Sequence, residues 1–221
     1  MAKDDQIPNL HFSEDEETEK IKDWWKKNGI SIIVGLVIGI GAVASYQGWN
    51  FYQNRQSEIA SDLYQSMLRS FDAGSIEDAR IEADQIISNF GSTTYADGAS
   101  LMLAKFDFEI GNLDKARIHL NRDMEKSNDS GLRHIARLRQ ATIAISDEDL
   151  DFADELLEIS EIVGFESRYH ELRGDVWVMR NEDEKANREY NLALEYEATG
   201  SIMSQILERK LNDVSSFKDD K

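Results

Sequence analysis

Four carboxylates have the spacing of a ligand loop. Asp147, Asp149, Asp151 and Glu158 stand at the first, third, fifth and twelfth positions of a calcium loop of the EF-hand type. Such a loop surrounds a hard cation with oxygens and turns sharply at its sixth position, where glycine is required. Here the sixth residue is Phe152. The same residues also fit a turn that recurs along the chain, with Asp151 and Ala153 in register with Asp114 and Ala116. That second reading accounts for more of the sequence, so no metal is expected. His11, His119, His134 and His170 are scattered without a metal-ligand spacing, there is no cysteine, and no GxSxG is present. Gly35, Gly39 and Gly41 lie in an apolar run with no strand before them, which excludes a phosphate-cradling loop. The chain carries no catalytic set, and a non-enzymatic role without cofactor is expected. A formal net charge of -18 argues against nucleic acid, whose binding depends on Lys and Arg displacing counterions.

The elements that position these residues begin with residues 28–54, which contain no charge. A hydrocarbon layer of about 30 Å needs roughly 20 mainly apolar residues in a helix. Nine of them (Ile30, Ile32, Ile33, Val34, Leu36, Val37, Ile38, Ile40 and Val43) together favour insertion by roughly 3–5 kcal/mol. This predicts a single membrane span. Trp24 and Trp25 before it, and Tyr46, Trp49, Phe51 and Tyr52 after it, have the placing of interfacial aromatic belts. Lys20, Lys22, Lys26 and Lys27 precede the span and only Arg55 follows closely, so the N-terminus is expected in the cytoplasm and the rest outside. A cleaved signal peptide is the rival reading, since Ala42-Val43-Ala44 has a small-residue cleavage pattern. Its leading region would be long and acidic, which favours the anchor. Residues 1–19 hold seven acidic side chains and few apolar ones, and are expected to form a disordered tail. Gly35 and Gly39, four apart, offer a small face on which a second membrane helix packs.

Beyond residue 55 the apolar period becomes helical, and Pro8 is the only proline in the chain. Gly-Ser-Ile-Glu-Asp-Ala at 74–79 is echoed at 111–116, at 148–153 and, more weakly, at 181–186. The alanines (Ala79, Ala116, Ala153 and Ala186) fall close to the 34-residue period of tetratricopeptide repeats. Each repeat is read as two helices, with the turn residue Ser75 or Asn112 capping the second one. Glu77, Asp114, Asp151 and Glu184 complement that helix's positive end. The small site of the first helix is taken by Ala104, Ala141 and Gly174, and by Met67 in a degenerate first repeat. The large site of the second helix is taken by Leu120, Leu157 and Tyr190. Residues 201–211, with Ile202, Ile206, Leu207 and Leu211 on one face, supply a capping helix. The expected fold is all-α: a transmembrane helix (residues 20–54 with its juxtamembrane lead), then a tetratricopeptide-like helical-hairpin solenoid over residues 55–221.

The charged lead, the Lys27-Asn28-Gly29 step, the glycine-rich span and the aromatic exit, followed by such repeats, resemble the bacterial YfgM family of ancillary SecYEG translocon subunits. The resemblance covers residues from about 18 to 214. It implies a single-pass inner-membrane protein with a periplasmic C-terminal domain, partnered by the SecYEG translocon and the periplasmic chaperone PpiD. It also implies the work of handing unfolded exported polypeptide to periplasmic chaperones. A tethered scaffold for another envelope process, cell division or wall synthesis, is the alternative. The usual groove positions of the first helices fall on Lys105, Phe108, Thr142, Glu171, Asp175 and Met179, which join Gly35 and Gly39 as expected partner contacts.

Overall fold

The computed structural model of the protein describes residues 14–216, and these are helical throughout apart from short turns. Nine helices follow one another among the described residues: α1 Glu14–Asp72, α2 Ile76–Asn89, α3 Thr94–Glu109, α4 Leu113–Lys126, α5 Ser130–Ser146, α6 Leu150–Leu157, α7 Glu166–Met179, α8 Asp183–Glu195 and α9 Ile202–Ser216. The chain divides into two compact units, Met1–Arg55 and Gln56–Lys221, and α1 contributes to both.

The first unit is the apolar part of α1. It is the one helix among the described residues long and apolar enough to cross a membrane, with a mean hydropathy of 2.1 over its most apolar window. Its 27 uncharged residues would reach about 40 Å at the helical rise. Only 6% of that window is buried within the protein, and Ile30, Leu36, Val37, Ile38 and Ile40 are all exposed. A helix apolar on every side is covered by a core or by lipid, and here no core covers it. At its entry, a side-chain carbon on Gly29 would come within 3.2 Å of the Trp25 indole, so glycine lets that ring lie along the helix one turn on.

One expectation needs correction here. The disordered tail was expected over residues 1–19, yet α1 begins at Glu14, so residues 14–19 are helical; residues 1–13 lie outside the described residues. Glutamate is a good helix former, and extending a helix already nucleated by the apolar segment avoids the cost of starting a new one.

The second unit is built of four hairpins (the end of α1 with α2, then α3–α4, α5–α6 and α7–α8), with α9 packed on α8. Each hairpin turns in the same way. Gly74, Gly111, Glu148 and Asn181 take left-handed conformations, with φ of 75°, 78°, 60° and 60°. The next residue donates its backbone N–H five residues back: Ser75 to Ser70 (2.9 Å), Asn112 to Asp107 (2.7 Å), Asp149 to Ala144 (2.9 Å) and Glu182 to Trp177 (2.9 Å). This is the Schellman ending, which satisfies carbonyls the first helix would leave open. The predicted register is therefore written in the backbone as well as in the side chains.

The turn also revises the capping expectation. The side chains of Ser75 and Asn112 accept no capping hydrogen bond; of the four equivalent residues only Asp149 does, from the Phe152 N–H at 3.3 Å. All four share ψ near 70° and the same Schellman bond, so the turn permits a side-chain cap, as Asp149 shows, but does not depend on one.

Ala79, Ala116, Ala153 and Ala186 are all fully buried. Twelve residues before each, the first helix supplies Met67, Ala104, Ala141 and Gly174; four residues after each, the second supplies Ala83, Leu120, Leu157 and Tyr190. The two sites vary inversely in size (Met with Ala, Ala with Leu twice, Gly with Tyr), so the four hairpins fill their interiors by three different splits of similar volume. Met67 is fully buried opposite Ala83, which explains the degenerate first repeat. The shorter spacing before the last alanine comes mainly from α7, which has 14 residues against 16 in α3 and 17 in α5; the short α6 is largely offset by the longer segment 158–165 that follows it.

Candidate functional site: a cationic cleft between first helices

The residue after each of these four alanines joins its hairpin to the element that follows. Arg80 donates to the fully buried carboxylate of Asp107 (2.5 Å), and Arg117 pairs with Asp147. In the third repeat the polarity inverts, with Asp154 paired to Arg180 (2.5 Å), and in the fourth Asn187 donates to Ser215 on α9 (3.4 Å). His119 approaches Asp107 to 3.6 Å, and burial holds its imidazole below the ordinary histidine range. A buried carboxylate deprived of its arginine is strongly destabilising, so the Arg80–Asp107 rung pins the first hairpin to the second; the later rungs are partly exposed and contribute less.

The same ladder uses the carboxylates of the calcium-like loop. Asp147 is held by Arg117, Asp149 caps α6, Asp151 accepts from Arg180 (3.1 Å), and Glu158 ends α6.

Stacking the hairpins lines up the first helices α3, α5 and α7, and a cleft of about 340 Å³ lies between them. Its floor is Ala104, Leu120 and Ile143, all buried; Phe108 and Thr142 stand at the rim. Lys105, Arg139 and Arg168, one from each helix, complete it. Lys105, Phe108 and Thr142, expected from the sequence, are thus brought together. Arg139 and Arg168 were missed, although each lies on the helical face one turn before a residue that was named, Thr142 and Glu171.

The remaining expected contacts lie elsewhere. Glu171 is buried and accepts from Arg168 and from Lys210 of α9 (2.9 Å). Asp175 accepts from the same lysine (2.6 Å) and from the Tyr190 hydroxyl (2.7 Å). That hydroxyl is held well above its ordinary pKa by burial and by Asp175 beside it. The capping helix therefore occupies this part of the face from within the chain. Met179 is exposed near the end of α7. Gly35 and Gly39 line a shallow apolar hollow on α1 with Leu36, Ile40 and Val43. Among the described histidines, His134 stacks on Phe165 (4.8 Å between rings) with Nδ1 2.9 Å from the Tyr169 hydroxyl, and burial lowers its pKa.

An apolar helix followed by four hairpins in one register, with a cleft across their first helices, defines a tetratricopeptide-like repeat protein bearing an apolar N-terminal helix. The family described as Tetratricopeptide repeat-like domain matches residues 22–216, so the match takes in the apolar helix as well as the repeats. Three curated relatives are each named Ancillary SecYEG translocon subunit. The protein of Aggregatibacter actinomycetemcomitans is 30% identical, that of Haemophilus influenzae 27% and that of Escherichia coli K12 24%. Each alignment covers 92–93% of this chain and 98% of the relative. The chain belongs to this family of ancillary SecYEG translocon subunits. No solved structure matches it at a significant level.

Proposed function

We propose that this chain is an ancillary subunit of the SecYEG translocon whose work is binding rather than catalysis. The observation that carries the reading is the colinearity with relatives of that name, which spans 98% of their length and so includes both the apolar helix and the repeats. In this reading α1 anchors the chain in the inner membrane. The four lysines before the span keep the N-terminus in the cytoplasm, and the repeats stand in the periplasm. Anchoring raises the effective concentration of the cleft beside other membrane proteins by restricting it to their neighbourhood. The cleft then serves polypeptide partners: the membrane-anchored chaperone PpiD, or exported chains on their way to periplasmic chaperones. Gly35 and Gly39 supply the surface for a neighbouring span.

Affinity purification of the full chain in mild detergent tests this. Recovery of the channel subunits together with PpiD supports it. Their consistent absence, with division or wall-synthesis proteins in their place, would sink it.

A further inference from the structure

We infer that the cleft between α3, α5 and α7 takes an extended polypeptide segment in which an apolar side chain is flanked by carboxylates. The inference rests on the reading of this cleft as a polypeptide-binding surface and adds the chemistry of what enters. In a chain with 43 acidic and 25 basic residues, the cleft is lined by three cations and by no acidic side chain. The three come from three different helices, so they surround an opening rather than follow one helix face.

The charge of two of them is also largely unspent. Arg139 donates to the Leu101 carbonyl at 3.2 Å and pairs with no carboxylate among the described residues. Among the described residues Lys105 pairs only with Glu109, one turn away, with both side chains more than half exposed. Arg168 is paired with the buried Glu171, which also accepts from Lys210, and it offers its remaining N–H donors, a guanidinium having five in a fork that suits a carboxylate. Ala104, Leu120 and Ile143 between them give no hydrogen bond, so what sits on the floor is apolar. A basic segment meets repulsion from Arg139 and Lys105, whereas an acidic one gains steering as well as pairing.

The test uses the full chain in nanodiscs and fluorescent peptides of about a dozen residues. One alternates leucine with aspartate and glutamate, a second replaces the acids by lysine, and a third replaces leucine by serine. The first should bind at least about tenfold more tightly than the others, and should weaken as salt rises. Arg139→Glu combined with Lys105→Glu, both at exposed positions outside the core, should abolish that preference while leaving the circular dichroism and melting temperature unchanged. Equal binding of the acidic and basic peptides overturns the inference but leaves the cleft a polypeptide site. No binding by any peptide overturns both. Binding of the acidic peptide that survives the double reversal places it elsewhere, and overturns the inference as well.

Discussion

Replacing Gly174 by alanine tests whether the hairpins are built by splitting a fixed volume between two facing sites. A Cβ at this position would stand 2.3 Å from Cε1 and 2.5 Å from Cδ1 of Tyr190. Ordinary carbon contacts begin at about 3.5 Å, so the ring must retreat by roughly 1 Å. It is not free to do so. Tyr190 is 2% exposed, its hydroxyl donates to Asp175 at 2.7 Å, and Lys210 sits over its face. Overpacking of this kind costs about 1–3 kcal/mol, and straining a hydrogen bond to a charged acceptor adds up to about 1.5–3 kcal/mol. The better helix propensity of alanine returns about 1 kcal/mol. A net loss of about 2–3 kcal/mol is expected, or a fall of roughly 5–10 °C in melting temperature for a domain of this size. Urea unfolding of residues 56–221, followed by circular dichroism, measures it. Adding Tyr190→Leu recreates the alanine–leucine pair that hairpins two and three already use, Ala104 with Leu120 and Ala141 with Leu157. The double variant should therefore recover at least about 1 kcal/mol relative to the sum of the two single changes. Strict additivity, or a Gly174→Ala protein as stable as the parent, would refute the volume argument.

Two further outcomes follow from the turns and the buried acids. Glu148 holds a left-handed conformation that costs a non-glycine residue roughly 1–2 kcal/mol, so Glu148→Gly should stabilise the domain by about 0.5–1 kcal/mol after glycine's entropy is counted. Asn181→Gly should gain less, because asparagine tolerates that region, and a loss of stability at both positions would show that the turn is not strained. Burial pushes the Asp123 carboxyl up to about 6 from an ordinary 3.8, against the opposing hydrogen bond from Arg122. The folded state holds this proton more tightly than the unfolded chain. The stability it contributes is thus complete below about pH 3.8 and lost as the pH rises through about 6. Between pH 4 and 7 the parent should lose about 2–3 kcal/mol relative to Asp123→Asn, and parallel pH profiles for the two proteins would contradict this.

The register of the four hairpins was legible because it is carried by local chemistry: a turn residue, an acidic first helical turn and an alanine where helices touch. Gly174 and Tyr190 were each recognised as site occupants, but their dependence on one another is a contact between two helices that only packing reveals. The capping roles assigned to Ser75 and Asn112 failed for a related reason. Their residue types suit a cap, yet the turn is closed by backbone hydrogen bonds whichever side chain follows it, and of the four equivalent residues only Asp149 adds a side-chain cap. Glu171 and Asp175 were named as groove contacts from their place on the first helix. Nothing within α7 announces Lys210, which lies 39 and 35 residues further along and reaches back to hold both. The cleft cations Arg139 and Arg168 lay within reach, since the face that holds Thr142 and Glu171 passes through them one turn earlier. The tail was misjudged over residues 14–19 because composition describes an isolated segment, whereas these residues extend a helix that the span has already nucleated.

In the proposed function the aligned first helices, carried beside the translocon by α1, are the face that meets polypeptide partners. Photo-crosslinking in the native membrane tests this most directly, with a photoreactive residue placed at Phe108 on the cleft rim and, separately, at exposed Ile118 on the second helix α4. The Phe108 probe should cross-link to translocon-associated or exported chains while the Ile118 probe does not; adducts formed only from Ile118 would contradict the claim.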